Sequence, residues 1–231
     1  MTILALDASS VSCSACVSEN GKILAEAFIN TALTHSVTLL ANIKKVLEQS
    51  EKTIEDIDLI AVTAGPGSFT GVKIGVACAK GLAFERDIPC FAVSSLAAAA
   101  ENVSLFSGTV IAVMDARRKS FYNAVFKNGK RVFADRQSSV DELLASLPDA
   151  EPVVAVGDGA ELFVRLCSER GRENIKAAPS FLRYIKASAV AELALRGDCE
   201  KRDCVSLAPV YLRAPQAERE RLERENAAKQ N

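Results

Sequence analysis

The stretch "ILALDASSVSCSACVSENGK" (residues 3–22) returns in outline as "VIAVMDARRKSFYNAVFKNGK" (residues 110–130). Each copy is an apolar strand ending in an aspartate, a short turn, a second strand and an Asn-Gly dipeptide. Asn-Gly favours the two-residue hairpin turn whose twist matches that of its flanking strands. Asp7 and Asn20 lie 13 residues apart, as do Asp115 and Asn128. Equal spacing of a strand-end acid and a hairpin turn reads as an internal duplication.

The segments after each hairpin extend the repeat. "ILAEAFI" (23–29) and "RVFADRQ" (131–137) read as third strands. In the first copy a helix over Ser36–Gln49 follows, with Thr34 as its N-cap and Val37, Leu39, Leu40, Ile43, Val46 and Leu47 on a broad apolar face. Then come a strand over 58–63, the loop "GPGSFTGVKIG" (65–75), a helix over 70–86, the strand "PCFAV" (89–93) and the helix "SLAAAAEN" (95–102). In the second copy "VVAVGDGAEL" (153–162) echoes "LIAVTAGPGSF" (59–69) as strand, glycine turn and helix, and "SAVAELALRG" (188–197) matches "SLAAAAEN". The pattern predicts an α/β protein of two duplicated βββαβαβα lobes facing across a cleft, the actin/hexokinase/Hsp70-type (ASKHA) architecture. The expected divisions are a first, interface lobe over 1–105, a second lobe over 106–213 whose last helix packs back on the first, and a charged tail over 214–231.

Composition narrows the function classes. Of 231 residues, 49% are hydrophobic and 25% charged, which suits a well-buried core. The formal net charge of −1 does not suit a chain that grips nucleic acid alone. No apolar run is long enough for a membrane span, and the N-terminus, with its early Asp7, lacks a basic leader. The expected location is the cytoplasm. Seven cysteines are scattered, and Cys13 and Cys16, three apart on a strand, point to opposite faces. With His35 as the single histidine, no metal site is expected.

The glycine loop invites a phosphate-binding reading and fails two tests for it. The P-loop pattern needs Gly-Lys-Ser/Thr at its end, whereas Lys73 here follows Val72 and precedes Ile74. The dinucleotide pattern needs Gly-x-Gly-x-x-Gly, and Gly65, Gly67 and Gly71 are spaced one residue too wide. What remains is a sharp turn and a helix with small residues every fourth position. Gly71, Gly75, Ala79 and Ala83 form one row, and Ala77 and Gly81 a second. Such rows let another element approach closely, and the first is expected to face a partner. The second candidate is a nucleotide contact at the cleft, made by Asp7, Ser9 and Ser10 with the turn glycines Gly157 and Gly159. The plainer account of Asp7 is a cap on its own hairpin.

"LALDASS", His35 at a helix start, "GPGSFTGVKIG", "GLA" (81–83), "VSSL" (93–96), "MDARRKSFYNAVF" (114–126) and "PVYLR" (209–213), in that order, resemble the TsaB family of bacterial tRNA threonylcarbamoyladenosine biosynthesis subunits. The resemblance implies a two-lobed, non-catalytic relative of the catalytic subunit TsaD. It implies pairing with TsaD, and with the ATPase TsaE in a ternary complex, for threonylcarbamoyl transfer to the adenosine beside the anticodon. Catalysts of that type hold metal with a histidine pair on the first lobe's helix; here Leu39 stands four residues after His35. The resemblance further implies a homodimer when the chain is alone, tRNA met only through the complex, and no cofactor unless ATP or ADP binds with partners present. Its partner interface maps onto His35, Val37, Leu40, Ile43, Leu47, Phe69, Gly71, Lys73, Gly75 and Ala79. The alternative reading is an active two-lobed ATPase or small-molecule kinase using Asp7. A peptidase is disfavoured, because His35 and Ser36 are helix neighbours and point apart.

Overall fold

A computed structural model describes residues 1–31 and 33–212. The first copy of the repeat folds as β1 (Thr2–Asp7), β2 (Cys13–Glu19), β3 (Lys22–Ile29), α1 (His35–Gln49), β4 (Leu59–Gly65), α2 (Phe69–Phe84), β5 (Cys90–Ser94) and α3 (Ser95–Glu101). The second folds as β6 (Thr109–Asp115), β7 (Ser120–Lys127), β8 (Lys130–Arg131), β9 (Arg136–Ser139), α4 (Val140–Ala145), β10 (Val153–Val156), α5 (Ala160–Ser168), β11 (Ile175–Ala177), α6 (Ser180–Arg183) and α7 (Ala187–Arg196). A last strand, β12 (Glu200–Arg202), follows.

Apart from the added edge strand β12, the two sheets have matching strand orders, which is the duplication in three dimensions. One runs β12-β5-β4-β1-β2-β3 and the other β11-β10-β6-β7-β8, with β9 also on β7. In each, a hairpin adds antiparallel strands to a parallel core. Both Asn-Gly turns take the expected left-handed form, with φ of 51° and 83° at Asn20 and Gly21 and 50° and 73° at Asn128 and Gly129. β12 pairs antiparallel with β5, so the chain returns to the first sheet after completing the second.

The core is layered by strand alternation. Leu4 and Leu6 of β1 face outward under α1 and α2, joining Ile43, Val46, Val72 and Val76. Ile3 and Ala5 face inward, where α3 and α7 fill the space between the sheets against Val110 and Ala112 of β6. Ile111 and Val113 face the far side, under α4 and α5. This gives five layers, each sheet covered on both faces as its parallel core requires. Cys13 falls in the outer cluster and Cys16 in the inner one, on opposite faces of β2.

Helix α6 and strand β12 are additions to the expected pattern, and the third strand of the second lobe departs from it, split into β8 and β9. Both Val132 and Phe133 donate to the Val125 carbonyl (2.7 and 3.3 Å), a bulge that interrupts pairing with β7, and Arg131 and Asp135 pair across it. Helix α4 is too short for hydrophobic periodicity to show, but it starts on a Ser139–Glu142 capping box.

Candidate functional site

The outward face of the first lobe carries an apolar trough of about 400 Å³ between α1 and α2. It is lined by Leu39 and Leu40 on α1 and by Ile74, Ala77, Cys78, Gly81 and Leu82 on α2, with His35 at the α1 N-terminus. Leu40 is 58% exposed, and Val37, one turn earlier, is 64% exposed. A side chain at Gly81 would meet nothing within 4 Å, so the trough is open where the helices could host a neighbour. Large apolar side chains left bare on one helix pair mark an interaction surface more than a fold requirement.

The structure divides the expected interface residues. His35, Val37 and Leu40 stand in or beside the trough, and Leu47 is half-buried against the core behind it. Phe69 and Lys73 sit together in the first turn of α2, the Lys73 ammonium 3.9 Å above the Phe69 ring and Tyr211 4.9 Å from it. Ile43, Gly71, Gly75 and Ala79 require a correction, because all four are buried inside their own lobe. Ile43 packs in the core under α1. A Cβ at Gly71 would lie 2.1 Å from the Ala8 carbonyl oxygen, and one at Gly75 would touch Val62 and Ala8. The row 71–75–79–83 therefore seats α2 on the β1–β2 turn and β4. The outward row is the other one, Ala77 and Gly81, and its four-residue repeat was the sequence signal for it.

The strand-end acids meet where the lobes join. Asp7 is fully buried, and its Oδ1 accepts from Ser9 N (3.1 Å), Ser9 Oγ (2.6 Å) and Thr63 Oγ1 (2.7 Å). Burial drives its carboxyl upward against the lowering effect of those bonds. Ser10 is buried with its hydroxyl 3.1 Å from that of Ser12. The Gly157–Gly159 turn lies directly on β6: a Cβ at Gly157 would be 2.1 Å from the Val113 carbonyl, and Gly159 N donates to that same carbonyl (3.1 Å). Asp7 Oδ1 is thus occupied by its own hairpin and by β4, while the buried Oδ2 has no hydrogen-bond partner among the described residues. Among the described residues, no group of three His, Cys, Asp or Glu side chains is placed to hold a metal ion, and no helix is long and apolar enough to cross a membrane.

Asp158, between the two turn glycines, ties the lobes together. Its carboxylate accepts from Asp115 N (3.3 Å) at the end of β6 and from the backbone of Val11 in the β1–β2 turn. Burial, with the Asp115 and Asp7 charges nearby, pushes it up to about 6. An unfolded aspartate titrates near ~3.9, so the folded chain binds the extra proton between about pH 4 and 6. Stability therefore falls as pH rises through that window. Asp158→Asn keeps an acceptor and removes the charge. It should flatten the melting curve over that range and stabilise the chain by about 1–2 kcal/mol at pH 7.5. Thermal melts from pH 4 to 8 check this, and an unchanged slope rejects it.

Two covered sheets of matching order, joined at their strand ends, define a two-lobed protein of the actin/hexokinase/Hsp70 class. Solved structures agree: the chain is similar to an uncharacterized Pseudomonas aeruginosa protein resembling the peptidase YeaZ (26% identity, TM-score 0.78, covering 92% of this chain and 99% of that one). It shares the fold of component A of the Acidaminococcus fermentans 2-hydroxyglutaryl-CoA dehydratase (15%, TM-score 0.51, covering 85% and 98%). The family model described as TsaD, tRNA N6-adenosine threonylcarbamoyltransferase, matches residues 22–220. The tRNA threonylcarbamoyladenosine biosynthesis protein TsaB of Bacillus subtilis is 32% identical over 96% of this chain and 99% of its own length. That of Escherichia coli is 34% identical over 55% of each chain. The chain belongs to the TsaB family.

Proposed function

We propose that the chain acts in tRNA threonylcarbamoyladenosine biosynthesis as a non-catalytic subunit. It docks a TsaD-type threonylcarbamoyltransferase on the α1–α2 trough, and a TsaE-type ATPase joins the pair. Alone, the chain covers the trough with a second copy. It works in the cytoplasm, meets tRNA only in the complex, and uses ATP or ADP only there. The observation that carries the reading is the bare apolar trough beside His35, on a lobe whose own core is already complete. Co-expression with the TsaD homologue of the same cell, followed by a mass measurement, tests the pairing, and an ATPase assay of the pure chain tests its inertness. The expected results are a stable heteromer and no turnover. A chain that stays apart from TsaD, or that hydrolyses ATP alone, rejects the reading.

A further inference from the structure

The turn between β6 and β7 carries charge that the assembly reading does not use. Arg117, Arg118 and Lys119 are consecutive, and all three have left-handed backbones, with φ of 66°, 55° and 58°. That region is costly for L-residues and is ordinarily filled by Gly, Asn or Asp. This chain follows the rule at its other hairpins, with Asn20 and Asn128. Here three cations stand in the same conformation. The turn is held by its backbone: Arg117 N donates to Asp115 Oδ1 (2.7 Å), Ala116 N to the Ser120 carbonyl (3.0 Å) and Ser120 N to the Arg117 carbonyl (3.1 Å).

All three side chains are exposed, and none forms an ion pair or side-chain hydrogen bond with another described residue. Lys130, Arg165, Lys176, Lys186 and Lys201 are likewise without a carboxylate partner among the described residues, but only residues 117–119 place three cations in succession, on one turn. The surroundings add to the pattern. Gly67 of the glycine loop comes so close to β6 that a Cβ there would be 3.1 Å from Met114 Cε. Two residues on, Phe69 carries the Lys73 ammonium over its ring and Tyr211 at its side. The β6–β7 turn thus carries three unpaired cations, and the start of α2 carries partly exposed rings, on a chain of net charge −1. Unpaired guanidinium and ammonium groups on a fixed turn suit phosphodiester oxygens, which position a nucleic acid without reading its sequence.

We propose that Arg117, Arg118 and Lys119 form a phosphate-contacting turn for the tRNA backbone. The proposal rests on the assembly reading above, because three contacts on an otherwise acidic chain hold tRNA only alongside a partner. The left-handed backbone supplies its own control, since Asn fits that conformation better than Arg or Lys. The triple variant R117N/R118N/K119N removes the charge without disturbing the turn. It should melt no lower than the parent and pair with the TsaD homologue unchanged.

The measurement is binding of a tRNA transcript to the wild-type and variant complexes from 50 to 250 mM salt. Each lost phosphate contact lowers the slope of log affinity against log salt by about 1, so the slope should fall by roughly 2–3. Affinity near 100 mM salt should drop on the order of tenfold or more. The charge-keeping variant R117K/R118K should keep the wild-type slope. An unchanged slope and affinity in a variant complex that still forms overturns the phosphate turn and leaves the assembly reading intact. Loss of TsaD pairing in the triple variant, or weakened TsaE binding with an unchanged slope, makes the turn a protein contact and also overturns it. If the wild-type complex does not form at all, the assembly reading fails and this proposal falls with it.

Discussion

Gly71→Ala is expected to lower the melting temperature of the chain by roughly 6–12 °C, the effect of about 3 kcal/mol in a domain of this size. Two effects oppose each other. Alanine is the better helix former, which favours the variant by about 1 kcal/mol. Against this, its Cβ would lie 2.1 Å from the Ala8 carbonyl oxygen and 3.1 Å from His35 Cδ2. The obstacle is backbone, and it is held in place, because the adjoining turn is fixed by the Asp7–Ser9–Thr63 bonds and by Ser68 N on the Ser9 carbonyl (2.8 Å). Helix α2 must therefore move off the sheet, losing contact along Val72, Val76 and Ala79, and the clash outweighs the propensity. Gly81→Ala, ten residues along the same helix, meets nothing within 4 Å and should gain about 0.5–1 kcal/mol. Parallel melts of the two variants decide it, and a Gly71→Ala protein melting at or above wild type contradicts the packing described here.

The same helix shows what a sequence can and cannot say. Two rows of small residues, 71–75–79–83 and 77–81, are visible in the letters, and both predict close approach of something. Only the position of the sheet decides which row faces in, and periodicity does not encode that position. Hence the buried row reads in the sequence as a partner surface, whereas it is the seat of α2 on the β1–β2 turn and β4. Ile43 departs from its expected place for the same reason, since α1 divides its apolar residues between the core, with Leu39, Ile43 and Val46, and the exposed side, with Val37 and Leu40. The hairpins were legible because Asn-Gly chemistry is local, and the equal Asp-to-Asn spacing carried over directly into the matching sheets. The β8–β9 break was not, because the bulge at Val132 and Phe133 depends on both amides reaching one carbonyl of a neighbouring strand. The Gly157–Asp158–Gly159 turn looked like a phosphate cradle. What the letters do not show is that its glycines allow the chain to cross β6 at backbone contact and that its aspartate joins the two lobes.

Leu40→Asp should weaken association with the TsaD homologue by about 30- to 1,000-fold, equivalent to 2–4 kcal/mol, while leaving the monomer's stability within about 0.5 kcal/mol of wild type. The asymmetry follows from where the side chain stands. Leu40 is 58% exposed on the trough wall, so in the free chain an aspartate there remains hydrated and breaks no core contact. In a complex it sits against the apolar wall built by Leu39, Ile74 and Leu82, where a carboxylate without a partner is costly to bury. Val37→Asp, a turn earlier and 64% exposed, should act in the same direction with a smaller effect, because Val37 lies beside the trough and not in its wall. Gly81→Leu approaches the trough from the opposite helix by adding bulk where nothing lies within 4 Å, and should block a partner helix without adding charge. Titration of each variant against the TsaD homologue, paired with a melt of the free chain, separates docking from folding. Wild-type affinity in both Leu40→Asp and Gly81→Leu places the partner elsewhere on the molecule. Lost affinity with an intact melt in both fixes the α1–α2 trough as the docking face, and equal loss of self-association identifies it as the surface that two copies share when no partner is present.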